Sequence, residues 1–376
     1  MIAIAGHNIF CGLGFGSDEV YALSRQGRSA LELREGVFGL PTPFVSSLID
    51  RDAIESRFGS RPAPAGLTPL EKAMILSAED AIAMAGIDPS SPDTLFIISS
   101  TKGNVELLEQ DPSGRDSRLA IHHSASVVAA FFGNANAPVC VTNACTSGIC
   151  AQITALRAIE TGECRNAVVI GADFLSRFVV SGFQCLKALS PERCRPFDKD
   201  RCGLNLSEAV ATIVFTSEGQ GIGVSLEAGS IRNDANHISA PSRTADGQKA
   251  AINAIVDDSV AADIAFVNVH GTATIYNDNM ESVALHDCGL DTLPTVSYKS
   301  TFGHTLGAAG VLETIISSLS LLDGVVFPTH GYSENGVSYA LPLSDRKRNI
   351  EGKRFLKIMS GFGGINAATL YRRTIG

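Results

Sequence analysis

Short apolar runs alternate with longer stretches of helical periodicity along the whole chain, and the layout of the first half recurs in the second. In the first half, residues 1–5, 138–142 and 166–171 read as strands and 94–99 as a buried strand, while 18–26, 70–85, 125–132 and 148–161 carry helical spacing. In the second half, strands at 264–269, 295–297 and 355–360 accompany a long helix over 307–322 that is rich in small and apolar residues. Alternation of this kind predicts a mixed α/β layered fold. In each half a strand runs into a polar elbow, 139–143 before Cys145 and 266–269 before His270, which points to an internal duplication. The seam is placed at 217–223, around Glu218-Gly219-Gln220-Gly221, giving halves of 1–217 and 218–376.

Charge and composition exclude some functions. The 30 Lys and Arg against 39 Asp and Glu leave a net charge of −9, so wholesale nucleic-acid binding is not expected and any basic docking patch has to be local. Nine cysteines are an odd count with no CxxC pair, and no His-rich segment follows at zinc-finger spacing, so a reducing compartment fits best. The opening residues lack a basic region, and their apolar run is too short for a signal peptide. No uninterrupted apolar stretch is expected to cross a bilayer. A cytoplasmic protein with no membrane partner is the expectation.

Four clusters carry the chemistry. Cys145 stands between a strand and a helix, with Ala144, Ser147 and Gly148 permitting a tight elbow. A helix N-terminus favours negative charge, which would lower the thiol pKa; taken alone, a buried structural cysteine fits about as well. His270 ends an apolar strand and opens His270-Gly271-Thr272-Ala273-Thr274, with Asp278 and Glu281 following. That pattern suits a ligand or an acid/base, and equally a histidine satisfied by its own loop. The third cluster runs from Ser297 through Lys299 and His304 to Gly307-Ala308-Ala309-Gly310. A buried Lys299 needs a partner, and Glu281 is the expected one. The fourth, Gly361-Phe362-Gly363-Gly364-Ile365-Asn366, lets backbone approach a ligand closely. Neither it nor Gly12-Leu13-Gly14-Phe15-Gly16 makes a nucleotide fingerprint.

Taken together, these clusters resemble the β-ketoacyl synthase family, the condensing enzymes of fatty-acid and polyketide synthesis. Ala144-Cys145-Thr146-Ser147-Gly148 is similar to the family's nucleophile motif, the His270 and His304 segments to its two histidine motifs, and 361–366 to its gating loop. Arg195-Pro196-Phe197-Asp198 through Glu208 is similar to the family's segment between the halves of the site. The resemblance implies a thiolase-like α/β fold, two similar halves in a five-layered αβαβα sandwich. It implies that Cys145 takes an acyl group as a thioester, and that His270 and His304 hold a malonyl thioester and stabilise the enolate left by decarboxylation. Lys299 with Glu281 would organise the site, and the N–H groups of Cys145 and Phe362 would form an oxyanion hole. Thr272 and Thr274 would bind the pantetheine arm, and Phe362 with Gly363 the acyl substrate. No metal and no resident cofactor is implied, since 4′-phosphopantetheine arrives on an acyl carrier protein. Two histidines point to the elongating branch.

Departures from the pattern bear on the substrate. Cys202 stands where the family usually has an acidic residue, Ser207 where it has glycine, and Ile275-Tyr276-Asn277 replaces a Pro-and-Gly pattern. The stretch 101–143 is short for a fatty-acid elongation enzyme, which suggests a specialised pathway. The resemblance implies a homodimer or a ketosynthase heterodimer. The rival reading is a non-catalytic, chain-length-setting subunit, which typically lacks the cysteine. For docking an acidic carrier protein, Arg51, Arg57, Arg61, Arg115 and Arg118 are the candidates.

Overall fold

The computed structural model describes residues 1–219 and 221–374, so Gln220, inside the proposed seam, lies outside the described residues. Ten strands build the frame. The first five are β1 (Ile2–Cys11), β2 (Thr94–Ser99), β3 (Val139–Val141), β4 (Asn166–Asp173) and β5 (Ala209–Thr216). The second five are β6 (Val224–Asn233), β7 (Ile264–Asn268), β8 (Thr295–Val296), β9 (Arg354–Gly361) and β10 (Ile365–Arg373). The longer helices that cover and join them include α1 (Pro69–Ala85), α2 (Ile121–Phe131), α3 (Ser147–Glu160), α4 (Asp246–Asn253), α5 (Ile275–Asp287) and α6 (Ala309–Asp323).

The strand order is β3-β2-β4-β5-β1 in the first half and β8-β7-β9-β10-β6 in the second, the same path twice. Directions repeat as well. The β3-β2-β4 and β8-β7-β9 neighbours are parallel, and the β5 and β10 neighbours are antiparallel. The sheets join edge to edge through β1 and β6, where Ile2 faces Leu226 and Ala3 faces Ser225. Parallel strands buried on both faces need helices on both sides. Accordingly α1 covers the outer face of the first sheet and α4 that of the second, while α3 and α6 lie between the sheets. Two similar halves thus form an αβαβα sandwich.

Several strands run longer than the apolar pattern suggests. β1 continues to Cys11 through the polar pair His7-Asn8, because a register shift after Ile4 re-aims the strand and Asn8 donates to Asp80 on α1. α1 begins with a capping box, in which Thr68 and Glu71 satisfy each other's backbone N–H groups.

The central layer corrects one expectation. The stretch Leu306–Asp323 does reach the length and mean hydropathy, 1.4, of a membrane span. Its apolar surface is explained by position, since 83% of it is buried inside the protein. α3 is similarly enclosed, and its one buried long polar side chain, Gln152, is fully used. Gln152 donates to the carbonyls of Gly148 and Gly310 and accepts from the Tyr371 hydroxyl.

The two central helices meet at their N-terminal ends, and the contact is backbone on backbone. A Cβ at Gly310 would stand 2.5 Å from the Ile149 nitrogen, and one at Gly148 would stand 2.9 Å from the Gly307 oxygen. Neither helix can retreat, because each is packed between two sheets. Gly310→Val is therefore expected to destabilise the protein by about 2–3 kcal/mol, read as a lower urea midpoint at unchanged m-value. An unchanged midpoint would show that the two helices can separate freely.

Candidate active site

β3 ends at Val141 and α3 starts at Ser147, so Cys145 sits in the elbow between them. Ala144 takes the left-handed backbone, φ 48°, to make the turn. The elbow is pinned from inside: Ser147 donates its hydroxyl to the Ala144 carbonyl and accepts the Asn143 N–H, and Thr146 donates to the Asn143 carbonyl. His270 lies just past β7, and His304 between the short helix Lys299–Phe302 and the start of α6. Left-handed residues recur beside both, Ala273 at φ 62° and Leu306 at φ 53°. Such backbone costs about 1–2 kcal/mol per residue, and its clustering around three side chains marks a functional site.

These three side chains converge. Cys145, His270 and His304 are all buried, and each offers a sulfur or nitrogen atom within 4.8 Å of the others. The imidazoles meet edge to face, with centroids 5.1 Å apart. Nδ1 of His304 accepts the Leu306 N–H at 3.3 Å, which puts the His304 proton on Nε2. That Nε2 and Nδ1 of His270 are buried with no protein partner. Burial, the Lys299 charge and the neighbouring positive groups hold both imidazoles well below the usual histidine range, so both are neutral.

The thiol behaves differently from the sequence expectation. Burial pushes Cys145 up to about 11, against the pull of Lys102 and Lys299. A helix N-terminus offers about 0.5–2 kcal/mol, at most about 1.5 pK units, so burial wins. Near neutral pH the thiol is held protonated. Nucleophilic attack therefore requires proton transfer to a base at the moment of reaction, and the imidazoles beside the sulfur provide one.

Glu281 and Lys299 are both in the site, but they do not pair. Glu281 accepts the N–H of His270 at 2.6 Å and of Gly271 at 2.7 Å, and Asn277 donates to it at 2.8 Å. It is a clamp on the histidine's backbone. Lys299 pairs with Glu313 on α6, a residue the sequence motifs do not single out. Glu313 also holds Lys357 from β9, at 2.6 Å. One carboxylate between two ammonium groups leaves this buried cluster with an excess positive charge. It therefore opposes a metal cation on the Cys-His-His set and favours negative charge in a reacting group.

A cavity of about 350 Å³ opens onto the three residues. Its walls include Thr272, Thr274 and Phe362, as expected of a substrate channel. The two threonine hydroxyls lie 2.9 Å apart. Phe362 is 39% exposed and stacks on Phe183, with centroids 6.0 Å apart. A Cβ on the adjacent Gly361 would stand 3.3 Å from the Cys145 nitrogen, so the gating loop touches the nucleophile's backbone. Gly363 is not part of the wall. It bonds to the Ile238 carbonyl and accepts from Asn233, tying the loop to the segment after β6. Near the cavity, Leu186, Ile275 and Tyr276 are exposed apolar side chains.

The N-terminal domain model of the beta-ketoacyl synthases matches residues 2–220, and the C-terminal domain model matches residues 223–333. The chain belongs to the beta-ketoacyl synthase family. This beta-ketoacyl synthase, an acyltransferase, is 30% identical to the actinorhodin polyketide putative beta-ketoacyl synthase 1 of Streptomyces coelicolor, over 99% of this chain and 88% of that protein. Its fold is similar to a beta-ketoacyl synthase from Burkholderia phymatum, with a TM-score of 0.89 at 26% identity over 100% and 99% of the two chains. It is also similar to the ishigamide ketosynthase/chain length factor, with a TM-score of 0.87 at 26% identity and the same coverage.

The Glu281 clamp gives a test. Glu281→Ala strips two buried N–H groups of their acceptor and should cost about 2–5 kcal/mol in urea unfolding, with Glu281→Gln less harmful because one acceptor oxygen remains. Equal losses in the two variants would contradict the assigned bonds.

Proposed function

We propose that this beta-ketoacyl synthase condenses an acyl group held on Cys145 with a malonyl thioester, releasing CO2 and a 3-oxoacyl thioester two carbons longer. The observation that carries the reading is a buried thiol beside two neutral imidazoles, each with a buried nitrogen that has no protein partner. In the first step the Cys145 sulfur attacks an acyl thioester and its proton passes to an imidazole. The donor's thiol leaves with a proton, and the acyl group stays on sulfur. In the second step a malonyl thioester loses CO2, and the electron pair moves into an enolate. The protonated Nε2 of His304, with His270 beside it, donates to the enolate oxygen, a fixed donor where charge develops. Neutral rings suit this task, because they are already present as donors and do not first trap a proton. In the third step the enolate carbon attacks the Cys145 thioester, the N–H groups of Cys145 and Phe362 receive the oxyanion, and the thiolate is expelled.

The cavity size and its paired threonines support delivery of both thioesters on the pantetheine arm of an acyl carrier protein. The arginines proposed from sequence are mostly engaged within the protein. Arg51 is held by Glu208, Arg61 by Glu79 and Arg118 by Asp116, while Arg57 covers Phe15. Lys187 is the exposed cation at the cavity wall, beside Leu186, and the carrier protein docks there in this reading. The outer edge of β3 has no strand partner among the described residues, which supports pairing with a second ketosynthase subunit, identical or chain-length-setting. A cytoplasmic location accords with nine unpaired cysteines.

Intact mass and peptide mapping after incubation with acyl carrier protein thioesters test the reading. An acyl adduct on Cys145, absent in Cys145→Ala, is expected. His304→Ala should keep the adduct while malonyl decarboxylation falls by about a hundredfold or more. An adduct confined to another cysteine, or none at all on well-folded protein, would contradict the proposal.

A further inference from the structure

Lys357 touches none of the reacting groups directly, yet it is the most completely enclosed cation near the site. It lies on β9 with its side chain wholly buried. Its Nζ donates to Oε2 of Glu313 at 2.6 Å and to the carbonyls of Val269 and Ile358 at 3.3 Å each. Val269 is the residue before His270. Glu313 gives its other oxygen to Lys299. Thus one ammonium reaches both the backbone that carries the first histidine and the carboxylate that holds Lys299.

Charged groups of both signs surround it. From α5, Asp278 and Glu281 are buried, and burial pushes both carboxyls toward protonation, Asp278 to about 6. Arg201 stands 3.7 Å from Asp278. From the end of β4, Asp173 is taken up by the N–H of Gly307, the N–H and hydroxyl of Thr101 and the hydroxyl of Ser100. Lys102, in the loop after β2, adds a further cation and donates to Thr101. Burial lowers Lys357 itself to about 8, with Glu313 opposing, which leaves it protonated at neutral pH.

We infer that Lys357 is a positioning residue for the condensation: sharing Glu313 with Lys299 and holding the Val269 carbonyl, it supplies the excess positive charge that disfavours protonation of the His270–His304 pair and favours negative charge developing beside it. The catalytic role of that pair rests on the condensation reading. The charge relation itself does not, so it can be measured without turnover.

The test is a carbon NMR titration of protein labelled at histidine Cε1, with signals assigned by His270→Asn and His304→Asn. In the native protein both rings are expected to titrate well below the ordinary histidine range, as burial and the neighbouring positive charges direct. In Lys357→Met, which leaves Lys299 and Glu313 as a neutral pair, both midpoints should rise by about one unit. Lys357→Gln serves if the methionine variant does not fold. Midpoints unmoved in a folded variant, or native rings titrating near the ordinary value of about 6.5, would overturn the inference. A second arm follows decarboxylation of malonyl-coenzyme A against pH. Its acid limb should move upward in Lys357→Met. Shifted titrations in a protein that never decarboxylates malonyl-coenzyme A would leave the charge relation standing and contradict the condensation reading.

Discussion

Gly148 and Gly310 let two helices touch through their backbones, and the site exists because they do. α3 follows the elbow at the end of β3, and α6 follows β8 through the short helix Lys299–Phe302 and its loop, so the contact brings together segments that are distant in sequence. Cys145 comes from the elbow before α3, and His304 from the loop just before α6. A side chain at either glycine would push the helices apart, and a shift of about 1 Å is enough to spoil geometry for reaction. Gln152 then secures the join by bonding to Gly148 and Gly310 at once.

Within that join, burial and charge act against each other. Drying the pocket raises the thiol, lowers the imidazoles and pushes the α5 carboxyls toward neutrality. A resting site with uncharged reacting groups is the result. The Lys299–Glu313–Lys357 cluster keeps a positive charge close by, unable to reorganise. Charge that develops during reaction therefore meets a field already in place, and in a dry site such a field acts strongly.

The residues legible in the sequence are those on elbows. Cys145, His270, His304 and Phe362 lie where a strand pattern breaks into small or polar residues, and the break itself is visible. Glu313 is hidden because it interrupts an apolar helix like any tolerated polar residue. Lys357 is hidden because a single lysine in Arg354–Gly361 reads as the solvent face of a strand, whereas this strand has no solvent face. With both out of view, Glu281 was the nearest carboxylate in the motifs to give Lys299, although it is occupied by two backbone amides. The same reasoning covers the fold. β5 and β10 are buried nearly throughout and show no alternation, and α5 buries Asn277, Asp278 and Glu281 and so lacks an apolar stripe.

The central claim is that the thiol and the histidine pair, contributed by different halves, act on one carbon–carbon bond. The most direct measurement is a single turnover of protein already acylated on Cys145 and then mixed with a malonyl carrier-protein thioester. CO2 release, loss of the adduct and formation of a 3-oxoacyl thioester should proceed with one rate constant and equal amounts. CO2 release from protein whose adduct persists, or adduct loss to the free acid, would show that the two parts of the site do not work on a shared substrate.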